Sequence, residues 1–270
     1  GKKFLEKWTN VLDIHHMPGG ENVFNARDKS LERKTLLVID HYVPHFDRDA
    51  GSRFVYQYLS LFVSKGFNVK FIGDNFYKHE PYTSDLQILG IEVLYGPYYA
   101  SNWKQWIKEN GNALDYVILY RPHIAVKYID HIRRYSDAHI AYSGVDLHYL
   151  REQRRSQYDN DPSLLEKSAE WKKIELELCS KADVSFYPTQ VEIDVLEPQI
   201  ENFTGIAIPV CFYPAGVPKR NSFKETSNLL FVGGFGHPPN LDGLLWFVDN
   251  IFPIVLETNR EIKLHIVGSN

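Results

Sequence analysis

Apolar positions in this chain come in short runs separated by polar loops, and the runs switch between two periods. Residues 36–40 read as a buried strand that ends on a carboxylate, Asp40. After a polar loop over 41–51, apolar residues recur at Val55, Tyr58, Leu59 and Phe62, a helical spacing that Gly66 brings to an end. The alternation then repeats. Strands are predicted at 68–73, 91–95, 116–120, 139–142, 184–187 and 206–211, with helices at 83–89, 101–110, 125–135 and 189–197. Such alternation with short loops predicts an α/β fold, a parallel sheet covered by helices on both faces.

Two stretches depart from the rhythm. Residues 143–155 follow a strand end and are dense in polar groups. Asp161 and Pro162 then read as the N-cap and first residue of a long helix to about Ala182, with Leu164, Trp171, Ile174 and Leu178 as its buried stripe.

Residues 214–227, with two prolines, a glycine and several charges, read as a linker between a domain over 35–213 and a further segment over 228–270. That segment is one strand–helix–strand unit: strand 229–232, loop 233–240, helix 241–257 and strand 262–267. One such unit cannot bury its own faces, so it is expected to be the start of a second domain. Residues 1–34 form an N-terminal arm. Phe4, Leu5, Trp8, Val11 and Leu12 share a helical face with Lys2, Lys3 and Lys7 outside it, a pattern suited to a membrane surface or to packing on another domain. Residues 17–27 read as irregular chain, and His15, His16 and His45 show no ligand spacing.

Composition narrows the function classes. The chain has 270 residues, is 44% hydrophobic and carries a formal charge of −4 without a basic block, so a nucleic-acid-binding role is not expected. Cys179 and Cys211 make neither a disulfide framework nor a metal spacing. No apolar run reaches membrane-spanning length and no secretory leader pattern opens the chain, which predicts a cytoplasmic protein, peripheral at the inner membrane if the arm binds lipid.

Ligands of parallel sheets sit outside the carboxyl ends of the strands, which makes the loop over 41–51 the working part. Gly51 lets a ligand approach the backbone, and a helix starting at Ser52 would aim free N–H groups at an anion such as a nucleotide diphosphate. The alternative is a tight turn followed by an N-cap.

Three separated stretches, VIDHYVPHFDRDAGSR, YSGVDLHYLRE and LLFVGGFGHPPNLDGLLWFVDNIFPIV, together resemble the retaining GT-B glycosyltransferases of the group-1 (family 4) type. The likeness spans about residues 35–270. It is nearest to bacterial members that often follow a second glycosyltransferase module in one polypeptide. The resemblance implies two facing Rossmann-like domains, with the acceptor on the N-terminal one and the nucleotide sugar on the C-terminal one. It assigns Gly51, Ser52, Gly233, Gly234 and Asn240 to the donor phosphates. Many members carry Arg and Lys where this chain has Gly234 and Asn240, so backbone N–H groups would have to serve there. Many also carry a His just after the fifth strand. Ser143 falls at that place and Asp146 and His148 follow it, so these three are the catalytic candidates.

On the acceptor side the candidates are His41, Asp47, Asp49, Arg121, His123 and Arg151, with Asp47, Asp49, Asp146 and His148 as possible proton sinks. The family needs no metal or cofactor, and the UDP- or GDP-linked sugar is a substrate. The implied activity is transfer of a sugar, with retention, to a glycan or lipid-linked acceptor in bacterial surface-polysaccharide synthesis. The family's Glu-rich motif would lie past Asn270, so the chain by itself is expected to be inactive. Two other readings remain. A NAD-type dehydrogenase is opposed by the GGFGHPP stretch, which lacks the third glycine and has prolines where the helix should meet pyrophosphate. A non-catalytic acceptor-binding or docking module is the other.

Overall fold

The computed structural model describes residues 1–17, 23–210 and 228–268. The linker expected over 214–227 and Cys211 lie outside the described residues. Chain contacts divide into two compact units, Gly1–Phe212 and Tyr213–Asn270.

The first unit is built on a seven-stranded parallel sheet of β1 (Thr35–Asp40), β2 (Asn68–Gly73), β3 (Glu92–Val93), β4 (Tyr116–Tyr120), β5 (His139–Ser143), β6 (Val184–Tyr187) and β7 (Gly205–Ala207). Their order is β3-β2-β1-β4-β5-β6-β7, a Rossmann-like arrangement. The winding reverses between β1 and β4, so the crevice for ligands opens beyond the carboxyl ends of these two strands. The helices are α1 (Lys2–His15), α2 (Val23–Ala26), α3 (Ala50–Ser64), α4 (Tyr82–Ile88), α5 (Pro97–Asn110), α6 (Pro122–Tyr135), α7 (His148–Asp159), α8 (Ser163–Lys181) and α9 (Gln190–Leu196).

Every residue of β1 is buried, as a strand covered on both faces requires. Leu37 and Ile39 join Val117, Leu119, Ile140 and Tyr142 in a core closed by α5, α6, α8 and α9. Leu36 and Val38 face the other way, with Ile118, Tyr120 and Ala141, under α3 and α4. Right-handed crossovers put the two sets of helices on opposite faces. α3 and α4 cover the β1–β4 part of their face, where Phe54 of α3 meets Tyr120 of β4 with ring centres 5.9 Å apart. Beside them a cavity of about 300 Å³ opens, lined by Phe62, Phe67, Ile118, Phe186 and Ile208 among others.

The arm differs in detail from expectation. α1 runs on to His15, and one helical turn at Val23–Ala26 replaces irregular chain. The polar stretch after β5 becomes helix α7, because a carboxylate from elsewhere caps it: Glu175 on α8 accepts from the N–H groups of His148 (2.8 Å) and Tyr149 (3.1 Å). α8 begins at Ser163, one residue later than expected, yet the Asp161 carboxylate does cap it, accepting from the Ser163 N–H (3.0 Å) and hydroxyl (2.6 Å). The strands expected at 91–95 and 206–211 shrink to β3 and β7.

The second unit holds two parallel strands, β8 (Leu229–Val232) and β9 (Leu264–Val267), with α10 (Pro238–Asn250) and α11 (Phe252–Thr258) between them. The single helix expected over 241–257 is therefore two. α10 starts early because Pro238 and Pro239 fit a first helical turn. The break at Ile251 follows from Pro253, whose ring and missing N–H are tolerated only in the first turn of a new helix.

Candidate functional site

The helix start after β1 carries a side-chain cap that accounts for one of its N–H groups. α3 begins at Ala50, and Asp49 is its N-cap. The Asp49 carboxylate accepts from both the N–H and the hydroxyl of Ser52, each at 2.7 Å. The Ser52 donor is thus already satisfied, and a negative charge stands where a phosphate would approach. Gly51 has a different neighbour from the one expected: a Cβ there would lie 3.2 Å from an Arg121 guanidinium nitrogen. Its missing side chain gives room to that guanidinium.

Arg121 follows β4 and caps α6 with φ of +63°. A side chain rarely takes this conformation, which costs on the order of 1–3 kcal/mol. What holds it is the contact with the β1 end. The Arg121 Nε donates to Asp40 Oδ1 at 2.8 Å, and its backbone N–H donates to the Ser143 carbonyl at 2.8 Å. Asp40 is almost wholly buried. Burial raises its pKa, and the neighbouring Arg121 charge only partly opposes this. Two residues after β5 the same kind of strain recurs at Val145, φ +71°. Two of the five non-glycine residues with positive φ among the described residues thus follow the ends of β4 and β5.

Two histidines of opposite character meet here, their ring centres 6.4 Å apart. His148, at the start of α7, is within 3.2 Å of an Asp146 oxygen and 3.4 Å of a fully buried Glu175 oxygen. Burial works to lower its pKa, but the two carboxylates outweigh burial and bring it up to about 9. It is an imidazolium at neutral pH. His123, in the first turn of α6, is exposed and makes no side-chain hydrogen bond among the described residues. Burial of the ring edge, the His148 charge and the Arg121 charge together push its pKa below the ordinary value. It is a neutral imidazole at pH 7, with a nitrogen free to take a proton.

The remaining candidates fall around this centre. Asp146 accepts from Arg151 Nη1 at 2.8 Å, and although burial would raise its carboxyl, His148 and Arg151 hold it below the usual range. His41 lies beside Asp40, and burial followed by the Arg121 and His123 charges drives it down to about 3. Asp47 accepts from the Tyr82 hydroxyl at 2.7 Å, which keeps it ionised. Ser143 is the buried last residue of β5, not an exposed group beyond it. His45 stacks on Tyr82 with ring centres 4.4 Å apart. Among the described residues no group of three or more His, Cys, Asp or Glu could hold a metal ion.

In the second unit, the Asn240 amide donates to the Gly234 carbonyl at 2.9 Å and the Gly233 N–H donates to the Val267 carbonyl at 3.0 Å. The loop folds on itself, and Pro238 and Pro239 remove two N–H groups from the helix start.

Sequence reasoning overlooked two residues. Asp40 was noted only as the end of a strand, although a carboxylate after a buried apolar run needs a partner. Glu175 carries a signal too: it stands beside Ile174, between Trp171 and Leu178, on the apolar stripe of its helix.

No family model matches the chain. Over 62 residues, 21% of this chain, it is 37% identical to a Klebsiella pneumoniae protein described as "Uncharacterized 44.6 kDa protein in cps region". The matched span covers 16% of that protein's length.

Proposed function

We propose that the first unit is the acceptor-binding half of a retaining glycosyltransferase acting on a surface-polysaccharide glycan, with His123 as the group that receives the acceptor proton. The pairing of a neutral His123 with a charged His148 at the carboxyl edge of the sheet carries this reading. An acceptor hydroxyl needs a base that is unprotonated at neutral pH and open to solvent. His148 and Asp146 fail on that ground, the first already protonated and the second a weak base.

The charge count of the site supports a hydroxyl-rich acceptor. Arg121, His148 and Arg151 are three cations, and each faces a carboxylate among Asp40, Asp146 and Glu175. With Asp49 beside them, these pairs leave none of the three cations without a carboxylate partner. Donor phosphates would then depend on the second unit. In the transfer the acceptor oxygen bonds to the anomeric carbon, the bond to the nucleoside diphosphate breaks, and the acceptor proton passes to a ring nitrogen of His123. The similarity to a protein of a cps region fits a polysaccharide setting.

The test is a panel of UDP- and GDP-sugars incubated with the protein and a capsule-type glycan. Nucleoside diphosphate release with one donor, falling at least ~100-fold in His123→Ala, supports the reading. Glycan binding without release from any donor would favour a docking module, and unchanged turnover in His123→Ala would remove the assigned base.

A further inference from the structure

A second cavity of about 300 Å³ opens beside the candidate site, between α7 and the first turn of α9. Helix α7 follows β5 and α9 follows β6, so this cavity lies at the carboxyl edge of the same sheet. Leu147, Leu150, Arg151 and Arg154 recur at spacings of three and four and put one face of α7 into its wall. Val191 and Glu192, in the first turn of α9, form the wall opposite. Asp146 joins the cavity to the candidate site, because it lines the one and contacts His148 in the other.

One charge in these walls has no partner. Asp146 accepts from Arg151 at 2.8 Å. Glu192 is engaged by its own helix: its carboxylate accepts from the Thr189 N–H at 3.2 Å and from the Thr189 hydroxyl, closing the α9 capping box. Farther along α7 and outside the cavity, Arg155 reaches Asp159 at 3.1 Å. Arg154, between two paired arginines, makes no side-chain hydrogen bond or ion pair among the described residues. Leu150 and Val191 give the same cavity an apolar side, with Val191 63% exposed. A sugar ring is divided in the same way. It has C–H bonds on its faces, hydroxyls around its edge and, in a uronic acid, one carboxylate. The volume is at the small end for a ligand pocket and suits a single sugar unit.

We propose that this cavity is an acceptor subsite for a sugar that carries a carboxylate, held by the Arg154 guanidinium. The assignment rests on the acceptor-half reading above and narrows it to acidic glycans. A guanidinium presents two parallel N–H groups to the two oxygens of a carboxylate. A monoanion matches the one cation left over. A phosphate dianion would set its second charge against the Asp146 and Glu192 carboxylates.

The test is an NMR titration of the 270-residue chain, without nucleotide sugar, against glucuronate-, galacturonate- and mannuronate-containing disaccharides and their carboxyl-reduced counterparts. At least one acidic disaccharide is expected to bind about 10- to 100-fold tighter than its neutral counterpart and to shift the Arg154 Nε–H signal. Arg154→Ala should erase that preference and leave the affinity for the neutral sugar unchanged. Arg155→Ala, which removes a cation outside the cavity, should keep it. Because Arg154 is exposed and unpaired, its variant should melt at the wild-type temperature. No acidic preference in any pair, or an equal loss in the two variants, would overturn the proposal. So would tighter binding of a phosphate-bearing disaccharide. Nucleoside diphosphate release onto a neutral glycan, with no acidic preference, would remove the subsite and leave the transferase reading standing. An acidic preference lost in Arg154→Ala, with no release from any donor, would uphold the subsite and favour the docking module.

Discussion

The loop between β1 and α3 and the loop between β8 and α10 look alike as sequence. Each follows an apolar strand, contains a glycine and runs into a helix. In the folded chain they have little in common. The first is held by groups far away in sequence: Arg121 from the end of β4 reaches Asp40 and packs against Gly51. The second is held by Asn240 on Gly234 within the loop and by the Gly233 N–H on the Val267 carbonyl of β9, with no charged side chain in either contact. A glycine turn before a helix therefore says little about chemistry. The neighbouring strand ends bring the charges, and only the first loop lies in a sheet wide enough to supply them.

The comparison makes ordered predictions. Arg121→Ala leaves Asp40 buried without its partner and should lower the stability of the first unit by about 3 kcal/mol, read from the urea midpoint. A loss below about 1 kcal/mol would mean the pair does not organise the loop.

His148 comes next. Its folded pKa of about 9 lies above the unfolded value, so its contribution is complete below about pH 6.5 and is lost as pH rises through 9. Stability should fall by roughly 1–3 kcal/mol across that window, the lower figure allowing for solvent screening. His148→Gln should flatten the decline. A wild-type protein equally stable at pH 6.5 and 9.5 would contradict the assignment.

Gly51→Ala should cost about 1 kcal/mol, since the group it meets is the end of a flexible Arg121 side chain. Asn240→Ala should cost least, about 0.5–1 kcal/mol, because it removes one exposed hydrogen bond within its own loop. Should Asn240→Ala unfold its unit while Gly51→Ala is silent, the contrast between the loops would be reversed.

How much of this the sequence shows depends on the range of the interaction. Strand and helix periods are local, and β1, β2, β4, β5 and β6 lie where the apolar runs placed them. α7 was hidden because its cap, Glu175, is 27 residues away from His148. The break at Ile251 was open to reading, since Pro253 is in plain view. The separate states of His123 and His148 were not legible, because they depend on which carboxylates the fold brings to each ring. Ser52 shows the opposite case: its cap, Asp49, stands three residues earlier and was read instead as an acceptor group.

The two histidines also give the most direct test of the whole account. An NMR pH titration of the imidazole carbons, assigned with His123→Ala and His148→Gln, should show one ring titrating below 6.5 and the other near 9. Glu175→Gln should move only the second downward. If His123 titrates above His148, or both follow the ordinary value, the carboxyl edge holds no base of the kind the proposed transfer requires.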